Sequence, residues 1–136
     1  MAEALVFPMA AHITLTAFLY VVLTIARAPS VWGIGRRKDG SNPWAELEPR
    51  ISANLSNQFE WPMFFHVVCL ALLLVGPGYQ AILLAWVFVL GRILHSAVQI
   101  LTSNVRLRGI VFMVNFLAVL GLWALFLMAA VRDPMV

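Results

Sequence analysis

Charge is scarce in this chain. Asp and Glu together number six, and charged residues fill 11% of the 136 positions, against about 25% in soluble domains. With 62% hydrophobic residues and a mean hydropathy of +0.92, the composition excludes an ordinary soluble fold. Cysteine is nearly absent: Cys69 stands alone, which excludes intrachain disulfides and CxxC metal sites. It lies in an apolar run and reads as an inert core or lipid-facing thiol. His12, His66 and His95 fall on separate segments, with no HExxH or ExxH, so no metal is expected. A basic n-region is also missing: Glu3 stands there, followed by a run long enough to span, so no cleaved signal peptide is expected. The net charge of +3 is no nucleic-acid footprint, because the basic residues gather in loops beside apolar runs. Neither a repeat of fixed period nor a low-complexity tract occurs.

What is present is four long apolar segments, from about Ala4 to Ala26, Ile51 to Val75, Tyr79 to Leu101 and Gly109 to Val131. Each is near the roughly 20 residues that cross a hydrocarbon core. In lipid they must be helices, because every backbone polar group needs an internal partner. The chain of residues 1–136 therefore reads as one integral membrane domain, an all-α, up-and-down four-helix bundle. The first connection, Arg27 to Arg50, is rich in Gly, Pro and basic residues and reads as an irregular loop. The second, "GPGYQ", makes segments two and three an antiparallel helical hairpin. The third, Thr102 to Arg108, carries Arg106 and Arg108. By the positive-inside rule, loops one and three are inside, and loop two and both termini outside. Arg132 opposes this weakly, with Asp133 beside it as a partner.

Segment two begins with groups that hydrocarbon disfavours: "RISANLSNQFEWP". The purely apolar part, Trp61 to Val75, reaches only about 22 Å at 1.5 Å per residue, so the polar turns must complete the crossing. Arg50, Asn54 and Asn57 fall at i, i+4 and i+7, and Glu60 follows one turn deeper. Pro62 is expected to kink the helix and free the carbonyl of Gln58. Two readings stand. The stripe is a helix–helix seam closed by amide hydrogen bonds, or it is a site. Arg50, Glu60 and two amides suit a zwitterionic or peptide-like ligand.

Segment three carries a matching line. His95, Ser96, Gln99, Ser103 and Arg106 fall within about 60° of Arg92 on a helix wheel. Such a line must face other helices or a wet cavity. Glu60 is the natural partner for Arg92. On segment one, His12, Thr16 and Tyr20 share a face and read as packing; Asn115 on segment four reads as interhelical glue.

Arg50-x-x-x-Asn54, Asn57-x-x-Glu60 with Pro62 just after, and Arg92-x-x-His95-x-x-x-Gln99 followed by Arg106 together resemble the MAPEG group. These are membrane-associated proteins of eicosanoid and glutathione metabolism. The resemblance covers nearly the whole chain and is closest to bacterial members with "NQFE-x-P-x-x-F" and "R-x-L-H-S". The second-helix pattern is split between two registers, and His95 and Gln99 stand where tyrosines are usual.

The resemblance implies a homotrimer in a membrane, here a bacterial inner membrane, with glutathione as co-substrate at a cytoplasm-facing site between subunits. It implies Arg106 as thiol activator, with His95 as a further catalytic donor. Arg50, Asn54, Asn57, Glu60, Arg92, Ser96 and Gln99 are implied to bind the thiol substrate. A nearby guanidinium favours the thiolate, which is the nucleophile, and a lipophilic electrophile would arrive from the bilayer. The alternative is a non-catalytic membrane protein binding a lipid or acidic amphiphile in the same groove. A transporter fits less well, since no inverted repeat occurs and the polar groups gather at one end.

Overall fold

The computed structural model describes residues 2–132, which form a short 3-10 turn (Ala2–Leu5) and five helices. These are α1 (Val6–Trp32), α2 (Glu48–Ser56), α3 (Trp61–Val75), α4 (Tyr79–Leu101) and α5 (Val105–Arg132). With α2 and α3 taken as one broken span, four segments are long and apolar enough to cross a membrane. Asp133, the expected partner of Arg132, lies outside the described residues.

The first span runs further than its hydropathy indicates. α1 continues through Pro29 to Trp32 and ends at Gly33, whose φ of 73° only glycine adopts freely. The extension depends on the loop that follows it. Arg36 folds back so that its Nε donates to the Pro29 carbonyl (2.6 Å) and its Nη2 to that of Ser30 (3.3 Å). Asn42 Nδ2 donates to the Ala26 carbonyl and to Ser30 Oγ. These bonds satisfy the carbonyls that a helix end leaves open. In the same loop the Ser41 hydroxyl and amide both donate to Asp39 and hold its carboxyl below the usual range.

The second span is broken where a kink is expected. Residues 57–60 leave the helix in tight turns, with Gln58 N–H donating to Leu55 and Phe59 N–H to Ser56. Pro62 thereby becomes a first-turn residue of α3, where its missing donor costs nothing. The freed carbonyl that finds a partner belongs to Asn57, not Gln58.

The third span matches its expected limits, Tyr79–Leu101. It stops because Thr102 is extended (φ −130°, ψ 162°). Asn104 then caps the next helix, its Oδ1 accepting from the Leu107 N–H at 3.0 Å. The expected stripe on segment three is therefore helical only as far as Gln99. Ser103 lies in the turn, and Arg106 belongs to α5.

The apolar core lies between α3, α4 and α5, with Phe65, Val68, Leu72, Ala85, Phe88, Val119 and Leu122 all at 2% exposure or less. Phe65 and Phe88 stack at 4.0 Å between ring centroids, so α3 and α4 meet through large side chains. α4 and α5 approach closely instead, because Gly91 leaves a notch that the Asn115 amide fills. A Cβ at Gly91 would collide with that amide oxygen. Asn115 was expected to hydrogen-bond a neighbouring helix. Its amide N and O have no hydrogen-bond partner among the described residues, and it fills space instead. Cys69 is fully buried in this core.

Candidate functional site

Toward the end of the bundle where the two basic loops emerge, the core changes from apolar to amide-rich. Asn54 Nδ2 (2.9 Å) and Asn57 Nδ2 (3.1 Å) both donate to Gln99 Oε1. Gln58 Nε2 donates to the Asn54 carbonyl and Oδ1 and to Ser96 Oγ. Gln58 Oε1 accepts from Arg92 Nε (3.2 Å) and His12 Nε2 (3.1 Å). Gln58 thus uses its full capacity of two donors and two acceptors. Without it, α1, α2 and α4 would each leave polar atoms unpaired in a low-dielectric interior.

Arg92 is 1% exposed, yet its expected partner does not reach it. The described residues contain one ion pair, Arg27 with Glu48 at 2.6 Å. Arg92 instead donates Nη2 to the Asn57 carbonyl (3.1 Å), a group available because the helix breaks there. Glu60, at the N-cap of α3, is exposed. The two charges line a common small cleft of about 80 Å³ with Asn57, Trp61, His95 and Phe112. In it Trp61 Nε1 and His95 Nδ1 are buried without a hydrogen-bond partner. Buried polar atoms are rarely left so, and each stands ready for an incoming group.

On the other side of the amide wall lies a larger cleft of about 350 Å³, lined by Arg50, Gln99, Thr102, Ser103, Asn104 and Arg108. Arg50 comes from the first turn of α2 and Arg108 from the first turn of α5. No acidic residue stands in that first turn of α5, although a helix N-terminus favours negative charge. Arg108 there is of the wrong sign for its helix and, with Arg50 across the cleft, of the right sign for an anionic ligand.

The expected residues therefore separate. Asn54, Ser96 and Arg92 are buried and spent on Gln58, Gln99 and the Asn57 carbonyl. Arg50 and Gln99 face one cleft, Glu60 and His95 the other, and Asn57 bridges them. Arg106 is exposed and lines neither cleft within the subunit. Two participants escape the sequence reading. Arg108 was visible only as a loop charge, and Gln58 sat off the Arg50–Asn54–Asn57 line, with only its own polarity as a signal.

The model of the MAPEG family matches residues 5–128. The chain belongs to the MAPEG family. No curated protein and no solved structure matches it. With four membrane-length apolar spans, this MAPEG protein is an integral, multi-pass membrane protein. The matched region contains all of the clefts' residues, so the amide wall and both clefts lie within the MAPEG domain.

Proposed function

We propose that the chain is a thiol transferase-like membrane protein that joins glutathione, or a related thiol peptide, to lipophilic electrophiles. The carrying observation is the pair of clefts. Arg50 and Arg108 offer two guanidinium groups to carboxylates on one side of the amide wall. Glu60 offers a carboxylate to an ammonium on the other. A zwitterionic peptide with two carboxylates matches that division of charge. By the positive-inside rule the clefts face the cytoplasm, with both termini on the opposite side; a bacterial inner membrane is the proposed location. In this reading the functional unit is a homotrimer, and each site lies between neighbouring subunits.

Activation falls to the first turn of α5. Arg108 serves the cleft of its own subunit. Arg106, turned about 200° around the helix from it, serves the neighbour. A guanidinium there favours the thiolate; the thiol proton is released, and sulfur forms a bond to the electrophilic carbon. Depending on the electrophile, its leaving group departs or an opened ring takes up a proton. His95, whose Nδ1 is buried without a partner, is the proposed further catalytic donor beside Arg106. Asn54, Ser96 and Arg92 hold the wall that separates the clefts.

The test is glutathione titration of purified protein by calorimetry, with conjugation to 1-chloro-2,4-dinitrobenzene followed in parallel. Binding at millimolar concentration or below is expected, weakened roughly tenfold or more in Arg50→Ala or Arg108→Ala, since a charge-assisted hydrogen bond contributes about 1.5–3 kcal/mol. Arg106→Ala is expected to slow conjugation more than it weakens binding. No binding at millimolar glutathione rejects the transferase reading. Binding without turnover favours a non-catalytic module.

A further inference from the structure

We propose a second ligand site, separate from both clefts. It is the groove between α1 and α3, and it takes a membrane-soluble molecule with a single O–H donor, such as a long-chain phenol or alcohol. The groove encloses about 450 Å³ and is lined by His12, Thr16, Tyr20, Phe59, Met63 and His66, among others. That volume falls in the range of small-molecule sites. Its walls are apolar apart from one end, where two histidines meet. His12 and Tyr20 lie two helical turns apart, so the groove extends about 12 Å along α1. At the far end Tyr20 packs edge to face on Phe59, with ring centroids 6.2 Å apart.

The polar end has a fixed direction. Arg92 carries donors alone, so the atom of Gln58 facing it must be the carbonyl oxygen. That oxygen also faces His12 Nε2, which must therefore be the protonated nitrogen. In a neutral ring His12 Nδ1 is then an acceptor. It lies 3.0 Å from His66 Nε2, which must donate. By elimination His66 Nδ1 carries a lone pair, and it has no hydrogen-bond partner among the described residues. The Thr16 hydroxyl spends its one proton on the His12 carbonyl at 3.0 Å, so it has none to offer a ligand and only its oxygen remains as a second, weaker acceptor beside the imidazole. A buried guanidinium some residues away thus sets, through one amide and one imidazole, which nitrogen of a half-buried histidine accepts. In hydrocarbon an unmet acceptor is costly. A phenolic or alcoholic hydroxyl on an apolar tail meets it and fills the groove.

The experiment uses the full chain with 15N-labelled histidine in phosphatidylcholine nanodiscs. The probes are 4-nonylphenol and its methyl ether, 4-nonylanisole, which shares the tail and lacks the donor. Without ligand, His66 is expected as the Nε2–H tautomer, and His12→Leu is expected to release it to a mixture. The phenol should shift the His66 Nδ1 resonance and bind roughly five- to tenfold tighter than the ether, the contribution of one hydrogen bond. His66→Phe should erase that preference, and Ala17→Phe, which fills the groove, should abolish binding of both. Equal binding of phenol and ether overturns the proposal. So does an Nδ1–H tautomer at His66 in the wild type, or binding of neither probe because a second copy of the chain covers the groove. None of these readouts uses glutathione, so they stand apart from the transferase test.

Discussion

Between Ala81 and Val89, the buried face of α4 is Ala81, Ala85, Phe88 and Val89; between Arg92 and Gln99 it is Arg92, His95, Ser96 and Gln99. One helix thus serves two kinds of interior. In its first half, shape decides: small residues let α5 approach, and Phe88 stacks on Phe65. In its second half, hydrogen-bond valence decides, and almost every group has a counted partner. Lipid tails are as apolar as leucine, so the first interior gains from packing and little from burial itself. The second gains because hydrocarbon offers no alternative partner. The two halves should therefore fail differently.

The largest effect is expected in the polar half. Arg92→Ala leaves Gln58 Oε1 short of a donor and the Asn57 carbonyl without one. It should cost about 3 kcal/mol, since each lost charge-assisted bond contributes about 1.5–3 kcal/mol. Thermal unfolding in detergent measures it; a loss below that of the apolar variants would reverse the ranking of the two halves. Phe88→Ala opens a cavity in the apolar half. The cost should be about 2 kcal/mol, below the 3–5 kcal/mol seen for such truncations in soluble cores, because transfer out of water contributes little here. Gly91→Ala is smaller, roughly 1–2 kcal/mol of overpacking, and Asn115→Ala added to it should restore most of the loss. If the double variant is no better than the single one, the notch is not what sets the approach of α4 and α5. Smallest is Arg27→Ala, which breaks the exposed pair with Glu48. The expected change is under about 1 kcal/mol and vanishes at high salt.

The apolar half was legible in the sequence because hydropathy is local. Four spans followed from it, and the limits of α4 matched. The polar half was legible as a stripe on each of two segments, Arg50–Asn54–Asn57 and Arg92–His95–Ser96–Gln99, but not in its pairing. Of the two readings of the stripe, the seam is seen in the bonds of Asn54 and Asn57 to Gln99; Arg50 lines a cleft, and its role as a site residue belongs to the proposal. The sequence reading paired Arg92 with Glu60 because opposite charges attract; the structure gives Arg92 two carbonyls, one freed by the break at 57–60. That break read as a kink, because a proline rule speaks of one missing bond and not of four residues. The run of α1 past Pro29 could not be read locally, since Arg36 and Asn42 satisfy its end from the loop. His12 read as a packing residue and His66 only as a histidine on another segment, because their hydrogen bond exists only after α1 and α3 meet, 54 positions apart in the chain.

The break in the second span also makes that span depend on its neighbour. α3 alone has 15 residues and reaches about 22 Å, short of the hydrocarbon thickness. The missing depth is supplied by α2 and the turn after it, whose Asn54 and Gln58 find partners on α4, a helix later in the chain. Without α4 the Asn54 and Asn57 side-chain amides lose their shared acceptor on Gln99, so the second span is completed by the third. The tight Gly76–Gly78 turn between α3 and α4 keeps the two spans adjacent in the chain as well as in space.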